Sequence, residues 1–345
     1  MKKVLALLLA LTCIFSLAAC GSSGSTSAPA STSEPAASTS EPAAETTAEV
    51  KATHLKLGHP SADGGPYDVM SEEFARLIEE KTEGRYVIDI FPANALGSQE
   101  ECFEAVTLGT IDLVVTSDDK CVNYVPEFGA LGMPFLFDDV NDVNENMNGE
   151  MGKYLSDKLA TKGAIVISWF ENGFRNVTAN KAVETPDDIK GVKIRVSSAA
   201  TNMALFNKCG AVVTNVSFSE LYTALQLGTC DAQENPFANI VDRKFYEVQK
   251  YLAVTKHVHT TEPLVMSKAT WDKLSAEDQA IFAECGKEAS EFAYNYASET
   301  DAQNLEFLKE KMTVIEPDLA PWKEIADQVT ADFQDQYSEI LALKK

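Results

Sequence analysis

Two arginines have the chemistry and the setting to bind a ligand. Arg195 lies in the run GVKIRV at residues 191–196, in which apolar and basic residues alternate with the period of two that is typical of a β-strand. Ligands of open α/β sheets bind beyond the carboxyl ends of the strands, and a guanidinium there offers a planar fork that matches two carboxylate oxygens. Arg175 lies beside a second apolar, strand-like stretch that contains Phe170, Phe174 and Val177. These residues predict a site for a small carboxylate.

The neighbours of Arg195 in the sequence do not explain its charge. Arg76, Arg85 and Arg243 have acidic neighbours and are predicted to be surface residues. No acidic residue adjoins Arg195. If Arg195 is buried, either a distant carboxylate of the protein or a ligand must neutralise it.

Sequence signatures of catalysis are missing. There is no G-x-G-x-x-G loop, Walker loop, G-x-S-x-G elbow or H-E-x-x-H pair. Residues 117–120 match the S-x-x-K of penicillin-binding enzymes, but the S-D-N and K-T-G motifs that accompany it are not present. His257 and His259 could begin a metal site, yet no cluster of cysteines or carboxylates accompanies them. We therefore expect no enzyme activity, no metal and no cofactor.

The elements that must position the two arginines follow an α/β pattern. Short strand-like segments alternate with amphipathic helical segments in two successive series, which indicates two sheets. The predicted strands lie at residues 55–58, 86–91, 111–115, 169–173, 192–196 and 212–216. The predicted helices lie at residues 69–81, 98–108, 199–208 and 218–227.

A long helix is predicted from Ala276 to about Lys311. Ser275 is its N-cap, Asp278 follows three residues later, and Gly286 is its only interruption. At 1.5 Å per residue this helix measures about 50 Å, which exceeds the width of one lobe. We expect it to span both lobes.

The N-terminus has the composition of an export signal followed by a tether. Residues 1–19 combine two lysines with an apolar run that is too short to cross a bilayer, and the end of this run forms the motif LAAC with Cys20. The resemblance to bacterial lipoprotein signals implies cleavage before Cys20 and lipidation of its sulfur, which would anchor the mature protein outside the cytoplasmic membrane. Residues 20–52 are mostly small, polar or proline and are predicted to be a disordered linker.

Charge and length limit the possible partners and the domain organisation. The formal net charge of −23 argues against nucleic acid as a partner. The folded part, from residue 53 onward, exceeds the size at which a single core stops growing, so we expect two lobes. The predicted first lobe comprises residues 53–173 and 262–301, and the predicted second lobe comprises residues 174–261 and 302–345.

The folded part contains five cysteines, which cannot all pair with one another. A disulfide between Cys209 and Cys230 is possible in an oxidising compartment, but buried free thiols are favoured. The cysteines are Cys102, Cys121, Cys209, Cys230 and Cys285.

Four segments together resemble a known family. They are GFRN (173–176), TPDDIKGVKIRV (185–196), FSELYTALQLGTCDAQENP (218–236) and KFYEVQKYL (244–252). They resemble the solute-binding proteins of TRAP transporters, the DctP family. The resemblance implies a two-lobed, periplasmic-binding-protein-like fold that closes over a small organic acid, such as a uronate or a C4-dicarboxylate. It also implies delivery of that acid to the membrane subunits of a TRAP transporter.

The resemblance also implies roles for individual residues. Arg195 matches the principal carboxylate-binding arginine of the family, Arg175 matches a second cation, and Asn235 matches an amide that helps to fix the ligand. Phe218 matches an aromatic position of the second lobe. His59 lies in a loop that matches the contact of the first lobe with the distal end of the ligand.

One position departs from part of the family. Members that bind sialic acid carry a carboxylate where this chain has Ser117, which argues against sialic acid as the ligand. Ser117, together with His59 and Trp169, would form a distal pocket suited to a hydroxylated acid, although a C4-dicarboxylate or a keto acid also fits. The alternatives from other classes are a secreted, lipid-anchored hydrolase that acts on sugar acids and a structural or adhesive lipoprotein.

Overall fold

The computed structural model of the protein describes residues 51–345. The predicted signal sequence, Cys20 and nearly all of the predicted linker lie outside these residues. No helix in the described part of the chain is long and apolar enough to cross a membrane.

Residues 51–345 form two β-sheets flanked by helices. The strands are β1 (Thr53–Gly58), β2 (Tyr86–Phe91), β3 (Leu113–Val115), β4 (Ala164–Phe174), β5 (Asn176–Ala179), β6 (Lys193–Arg195), β7 (Val212–Thr214), β8 (Ala232–Asn235), β9 (Tyr251–Ala253), β10 (His259–Ser267) and β11 (Thr313–Ile315). The helices are α1 (Pro66–Lys81), α2 (Gln99–Leu108), α3 (Val140–Met147), α4 (Glu150–Ala160), α5 (Ala200–Lys208), α6 (Leu221–Gln226), α7 (Phe237–Asp242), α8 (Lys268–Trp271), α9 (Ala276–Lys311), α10 (Ala320–Phe333) and α11 (Ser338–Leu341). The α/β prediction is confirmed.

The first sheet has the strand order β2-β1-β3-β10-β4. The first three strands are parallel, and β10 runs antiparallel to both β3 and β4. The side chains of β3 alternate between the two faces: Val114 packs with the residues of α2 and α4, whereas Leu113 and Val115 pack with those of α1 and α9. The sheet is therefore covered by helices on both faces, as expected where parallel strands are buried.

The second sheet has the strand order β11-β9-β5-β8-β6-β7. Strand β6 lies between β8 and β7 and runs parallel to both. Ile194 of β6 packs with Phe206 of α5 and Trp322 of α10 on one face. Phe245 and Leu308 contribute to a separate core on the other side of the sheet. Strand β6 is thus a central strand that holds Arg195 at its carboxyl end.

Helix α9 connects the two cores, as the sequence predicts. Its 36 residues measure about 54 Å, and Ser275 caps its first turn by accepting a hydrogen bond from the backbone N–H of Asp278. Phe282 near its start packs into the core of the first sheet, and Leu308 near its end packs into the core of the second. Gly286 lies within the helix, which continues through it.

The C-terminal helices contact both halves of the molecule. Trp322 of α10 lies in a core of the second sheet. Tyr337, which precedes α11, and Ile340 of α11 pack instead with Leu155 of α4 beside the first sheet. The lobe boundaries given above stay a prediction, and the packing shows that the chain after residue 333 lies against the first half.

Candidate functional site

Arg195 is a buried cation that has no partner of opposite charge among the residues that the structure describes. Its side chain is only 5% exposed, and its Nε donates a hydrogen bond to the backbone oxygen of Val216 at 3.0 Å. Within residues 51–345 no carboxylate forms an ion pair with it, and its two terminal nitrogens have no hydrogen-bond acceptor. Burial, with a further contribution from the charge of Arg175, lowers the pKa of Arg195 from its ordinary value. Because arginine carries five N–H groups, four remain available to a ligand.

Arg175 is buried to the same degree, but its charge is already balanced. Its guanidinium forms an ion pair with Glu234, with Nη2 and Oε1 separated by 3.0 Å, and Nη1 donates a hydrogen bond to Thr260 at 2.8 Å. Burial alone would lower the pKa of Arg175, but the attraction of Glu234 outweighs it and raises the pKa. Arg175 can therefore offer a remaining N–H group to a ligand but contributes little net charge.

Glu234 holds several groups in place behind the site. It lies in β8 with no exposed surface, and it accepts hydrogen bonds from Arg175, His257 and the backbone N–H of Ser197. Burial opposes its ionisation, but Arg175 and His257 lower the pKa of Glu234 to about 2. Glu234 was not among the residues predicted from the sequence, because its partner Arg175 lies 59 residues away.

A small polar cavity connects these residues. It has a volume of about 20 Å³, and residues from both sheets and from the loops at their edges line it. This volume accommodates about one water molecule, and not an organic acid of four or more carbons. The lining residues are Tyr67, Gln99, Ser117, Asp119, Lys120, Arg175, Arg195, Ser197, Phe218, Asn235, Asn239 and Glu262.

Five of the seven residues predicted for the site line this cavity: Arg195, Arg175, Asn235, Phe218 and Ser117. The side-chain nitrogen of Asn235 donates a hydrogen bond to Gln233. The backbone N–H of Ser117 donates to the side chain of Gln99 at 2.9 Å, and its hydroxyl donates to Asp119. The hydroxyl of Ser117 is thus bonded to Asp119, and not to Lys120, the lysine of the S-x-x-K pattern.

The other two predicted residues, His59 and Trp169, do not line the cavity. The Nε2 atom of His59 lies 3.0 Å from the carboxylate of Asp68, with both side chains buried. Trp169 packs against Phe128 with ring centroids 6.0 Å apart, in the core beside the first sheet. The distal pocket of His59, Ser117 and Trp169 stays a prediction, and of the three only Ser117 lines this cavity.

Polar residues that were not predicted from the sequence also line the cavity. Lys120 is buried and forms ion pairs with Glu100 at 2.8 Å and with Asp119 at 3.2 Å. Glu262 is fully buried in β10, where its Oε1 accepts hydrogen bonds from Tyr67 and Asn172. Among the cations that line the cavity, Lys120 and Arg175 have carboxylate partners, whereas Arg195 has none in the described part of the chain.

Hydrogen bonds join the two halves at two places. Asp119, beside the first sheet, accepts hydrogen bonds from the backbone N–H and the hydroxyl of Ser198, which follows β6. Asp242, at the end of α7, accepts from the hydroxyl of Ser61 at 3.2 Å and from the backbone N–H of Ala62 at 3.3 Å. The two halves are thus in direct contact around Arg195.

A larger cavity, of about 600 Å³, lies elsewhere in the molecule. Its lining includes Phe174 and residues of α9 and α10, and it includes neither Arg195 nor Arg175. Five carboxylates and two lysines line it, so an anion would meet a net negative charge. The smaller cavity, in contrast, contains the buried guanidinium of Arg195, which has no carboxylate partner within residues 51–345.

Two β-sheets, each flanked by helices, meet at a buried cation, and one helix is shared by their cores. This arrangement is that of a two-lobed solute-binding protein. The chain belongs to the bacterial extracellular solute-binding proteins of family 7 (DctP), whose sequence profile matches residues 57–336. The resemblance deduced from the sequence is confirmed. Proteins of this family act outside the cytoplasm as receptors of TRAP transporters, and this relationship supports a receptor rather than a hydrolase.

Individual relatives cover most of the chain. A solute-binding protein of Verminephrobacter eiseniae is 37% identical over 290 residues, which cover 83% of this chain and 87% of that protein. The 2,3-diketo-L-gulonate-binding periplasmic protein of Escherichia coli is 32% identical over 274 residues, which cover 79% of this chain and 84% of that protein. The crystal structure of a TRAP periplasmic solute-binding protein from Polaromonas sp. JS666, bound to D-erythronate, superposes with a TM-score of 0.82 at 35% identity and covers 84% of this chain and 97% of that one.

Proposed function

We propose that this protein captures a small organic acid by binding its carboxylate to Arg195 and delivers the acid to a TRAP transporter. The observation that carries the proposal is the buried guanidinium of Arg195, which has four unused N–H groups and no carboxylate partner within residues 51–345. Charge-assisted hydrogen bonds from a guanidinium to a carboxylate are among the strongest in proteins, and a bidentate pair also fixes orientation. The relatives named for 2,3-diketo-L-gulonate and D-erythronate support the same ligand chemistry.

Arg175 and Asn235 are proposed to assist Arg195. Both line the cavity, and Arg175 is held rigidly by Glu234 and Thr260. A rigid N–H donor loses little conformational entropy when a ligand binds. Phe218 would cover the apolar part of the ligand from the second half. These assignments predict that Arg195 contributes more to affinity than Arg175.

Binding requires the two halves to separate and close again. The cavity of about 20 Å³ is too small for the acid, and the hydrogen bonds of Asp119 with Ser198 and of Asp242 with Ser61 hold the two halves together. We propose that the hinge lies where β4 and β10 pass from one sheet toward the other. Gly173 has a φ of +108° there, and the pairing of the two strands shifts register between Thr260 and Thr261. The ligand then stabilises the closed state because it satisfies Arg195 only there.

Isothermal titration calorimetry with a panel of sodium salts tests the proposed ligand class. The panel comprises aldonates, hexuronates, keto acids and C4-dicarboxylates. At least one acid should bind with a dissociation constant in the micromolar range or below, and no acid of the panel should be chemically altered after incubation. Binding of none of them, or turnover of any of them, would contradict the proposal of a receptor without catalytic activity.

The lipid anchor is a separate proposal. The apolar run that ends in LAAC supports cleavage before Cys20 and lipidation of its sulfur. Mass spectrometry of the N-terminal peptide from membrane-associated protein should show an acylated Cys20, and Cys20→Ser should release the protein from the membrane. A mature N-terminus at another residue would contradict the anchor without affecting the ligand site.

A further inference from the structure

In the part of the cavity contributed by the first half, Glu262 is a buried carboxyl group. Its Oε1 accepts hydrogen bonds from Tyr67 and from Asn172, the latter at 2.9 Å. Its second oxygen, Oε2, is buried and has no hydrogen-bond partner, and no cation within residues 51–345 forms an ion pair with Glu262. A carboxyl group that is buried without a cation is kept neutral by its surroundings. Consistent with this, burial raises the pKa of Glu262 well above its ordinary value, and Asp118 and Asp119 contribute further.

Asn239 lines the same cavity from the second half. Its side-chain nitrogen donates hydrogen bonds to the hydroxyl of Tyr67 at 3.4 Å and to Oδ1 of Asn235 at 3.3 Å. Its own Oδ1 is buried and has no partner within residues 51–345. The cavity thus holds a free acceptor on Asn239 and an unpartnered carboxyl oxygen on Glu262. A hydroxyl group both donates and accepts, so it can satisfy both residues. A carboxylate offers acceptors only, and it would also meet the negative charge of Asp119, which lines the same cavity.

We propose that Glu262 and Asn239 read hydroxyl groups of the ligand, and that the protein therefore takes a polyhydroxy monocarboxylate, such as an aldonate or a uronate, in preference to a C4-dicarboxylate. The inference rests on the proposed function, in which Arg195 holds the one carboxylate of the ligand. Glu262 and Asn239 contact the end of the ligand that lies opposite this carboxylate. Glu262, in its neutral form, donates from Oε2 to a ligand oxygen, and Asn239 accepts from a ligand hydroxyl.

A comparison of two acids with four carbons tests the selectivity. D-erythronate carries one carboxylate and three hydroxyl groups, whereas succinate carries two carboxylates and no hydroxyl group. Calorimetry on the folded protein should show that D-erythronate, or a longer aldonate or hexuronate of the panel, binds at least about 100-fold more tightly than succinate or malate, because a site built to bond a hydroxyl group rejects a ligand that lacks it. If a dicarboxylate binds most tightly and Arg195→Ala abolishes that binding, the selectivity inference is overturned while the proposed function stands. If no acid depends on Arg195, both fail.

Substitutions at Glu262 test the residue itself. Glu262→Gln keeps an uncharged group of the same shape with a donor, so its affinity for the hydroxylated acid should fall less than about tenfold. Glu262→Met removes the hydrogen bonds, so that affinity should fall at least about tenfold while the affinity for succinate stays the same or rises. Glu171→Gln is the matched control: Glu171 is a buried carboxyl on the adjacent strand β4 that lines the larger cavity, and its substitution should leave both affinities unchanged.

A second variant keeps the test independent of folding defects. Glu262→Met also releases Tyr67, so its thermal midpoint must be measured beside its affinity. If that variant does not fold, Asn239→Ala serves instead and should reduce the preference for the hydroxylated acid over succinate at least about fivefold. An unchanged ratio of the two affinities in whichever of these variants folds would overturn the role of the pair.

Discussion

Arg195 and Arg175 offer a direct comparison of a ligand-binding cation with a structural one. Both are buried in the second half, at 5% and 4% exposure, but only Arg175 is paired with a carboxylate. Replacing Arg175 with alanine leaves the buried charge of Glu234 uncompensated, which costs about 3–5 kcal/mol of stability. Replacing Arg195 with alanine removes a buried cation that has no carboxylate partner within residues 51–345, so the unfolding free energy without ligand should change by less than about 1 kcal/mol.

The effects of the two substitutions on binding should differ from their effects on stability. Arg195→Ala removes two charge-assisted hydrogen bonds of about 1.5–3 kcal/mol each, so affinity for the acid should fall about 10²-fold to 10⁴-fold. Arg195→Lys keeps the charge but not the planar fork, and its affinity should fall at least about tenfold. Arg175→Ala should chiefly shift the denaturation midpoint.

Guanidinium chloride unfolding without ligand and calorimetry with the tightest acid of the panel provide the two readouts. Wild-type protein and the three variants should be measured under the same conditions of salt and pH. The reasoning is refuted if Arg195→Ala unfolds at as low a denaturant concentration as Arg175→Ala, because Arg195 would then be part of a structural ion pair. It is equally refuted if Arg195→Ala binds the acid as tightly as the wild type.

Three further predictions concern stability and the thiols. Burial, with a smaller effect of Asp119, raises the pKa of Asp118 from 3.8 to about 7, so the folded state retains a proton between these values that the unfolded state releases. The unfolding free energy should therefore fall by up to about 1.4 kcal/mol per pH unit as the pH rises from about 4 to 7. Denaturant titrations should show that Asp118→Asn flattens this dependence. Parallel curves of unfolding free energy against pH for the wild type and the variant would contradict the prediction. A Cβ atom at Gly286 would lie 2.6 Å from the backbone oxygen of Ile167 on β4, so Gly286→Ala should destabilise the protein by about 1–3 kcal/mol in spite of the better helix propensity of alanine, and a gain in stability would contradict the packing. All five cysteines of the described chain are free and buried, and burial raises the pKa of Cys209 to about 12. A thiol reagent should therefore react with five thiol groups, and only after the protein is unfolded. Reaction of fewer than five thiols in the unfolded protein would reveal a disulfide.

The sequence predicted the parts of the molecule that depend on local patterns. The alternation around Arg195 identified β6, and the capped, amphipathic run after Ser275 identified α9 with the same bounds that the structure shows. The segment at residues 218–227, which was predicted to be an α-helix, differs from the prediction. It begins as a 3₁₀ turn at Phe218–Glu220 and becomes α-helical only from Leu221.

The composition of the site was less accessible because it depends on contacts between distant segments. Glu234 meets Arg175 across 59 residues of sequence, and Glu262 meets Tyr67 across 195. No period or spacing in a single sequence reveals such pairs. For the same reason the sequence did not show that Trp169 of β4 packs against Phe128 in the core beside the first sheet.

The central claim is that Arg195 is completed by the carboxylate of the ligand. A crystal structure of the protein with the tightest acid of the panel tests it most directly. It should show two nitrogens of the Arg195 guanidinium at about 2.7–2.9 Å from the two oxygens of one carboxylate, inside a cavity enlarged to fit the acid between the two sheets. An acid bound in the larger cavity beside α9 and α10, or with its carboxylate away from Arg195, would contradict the account.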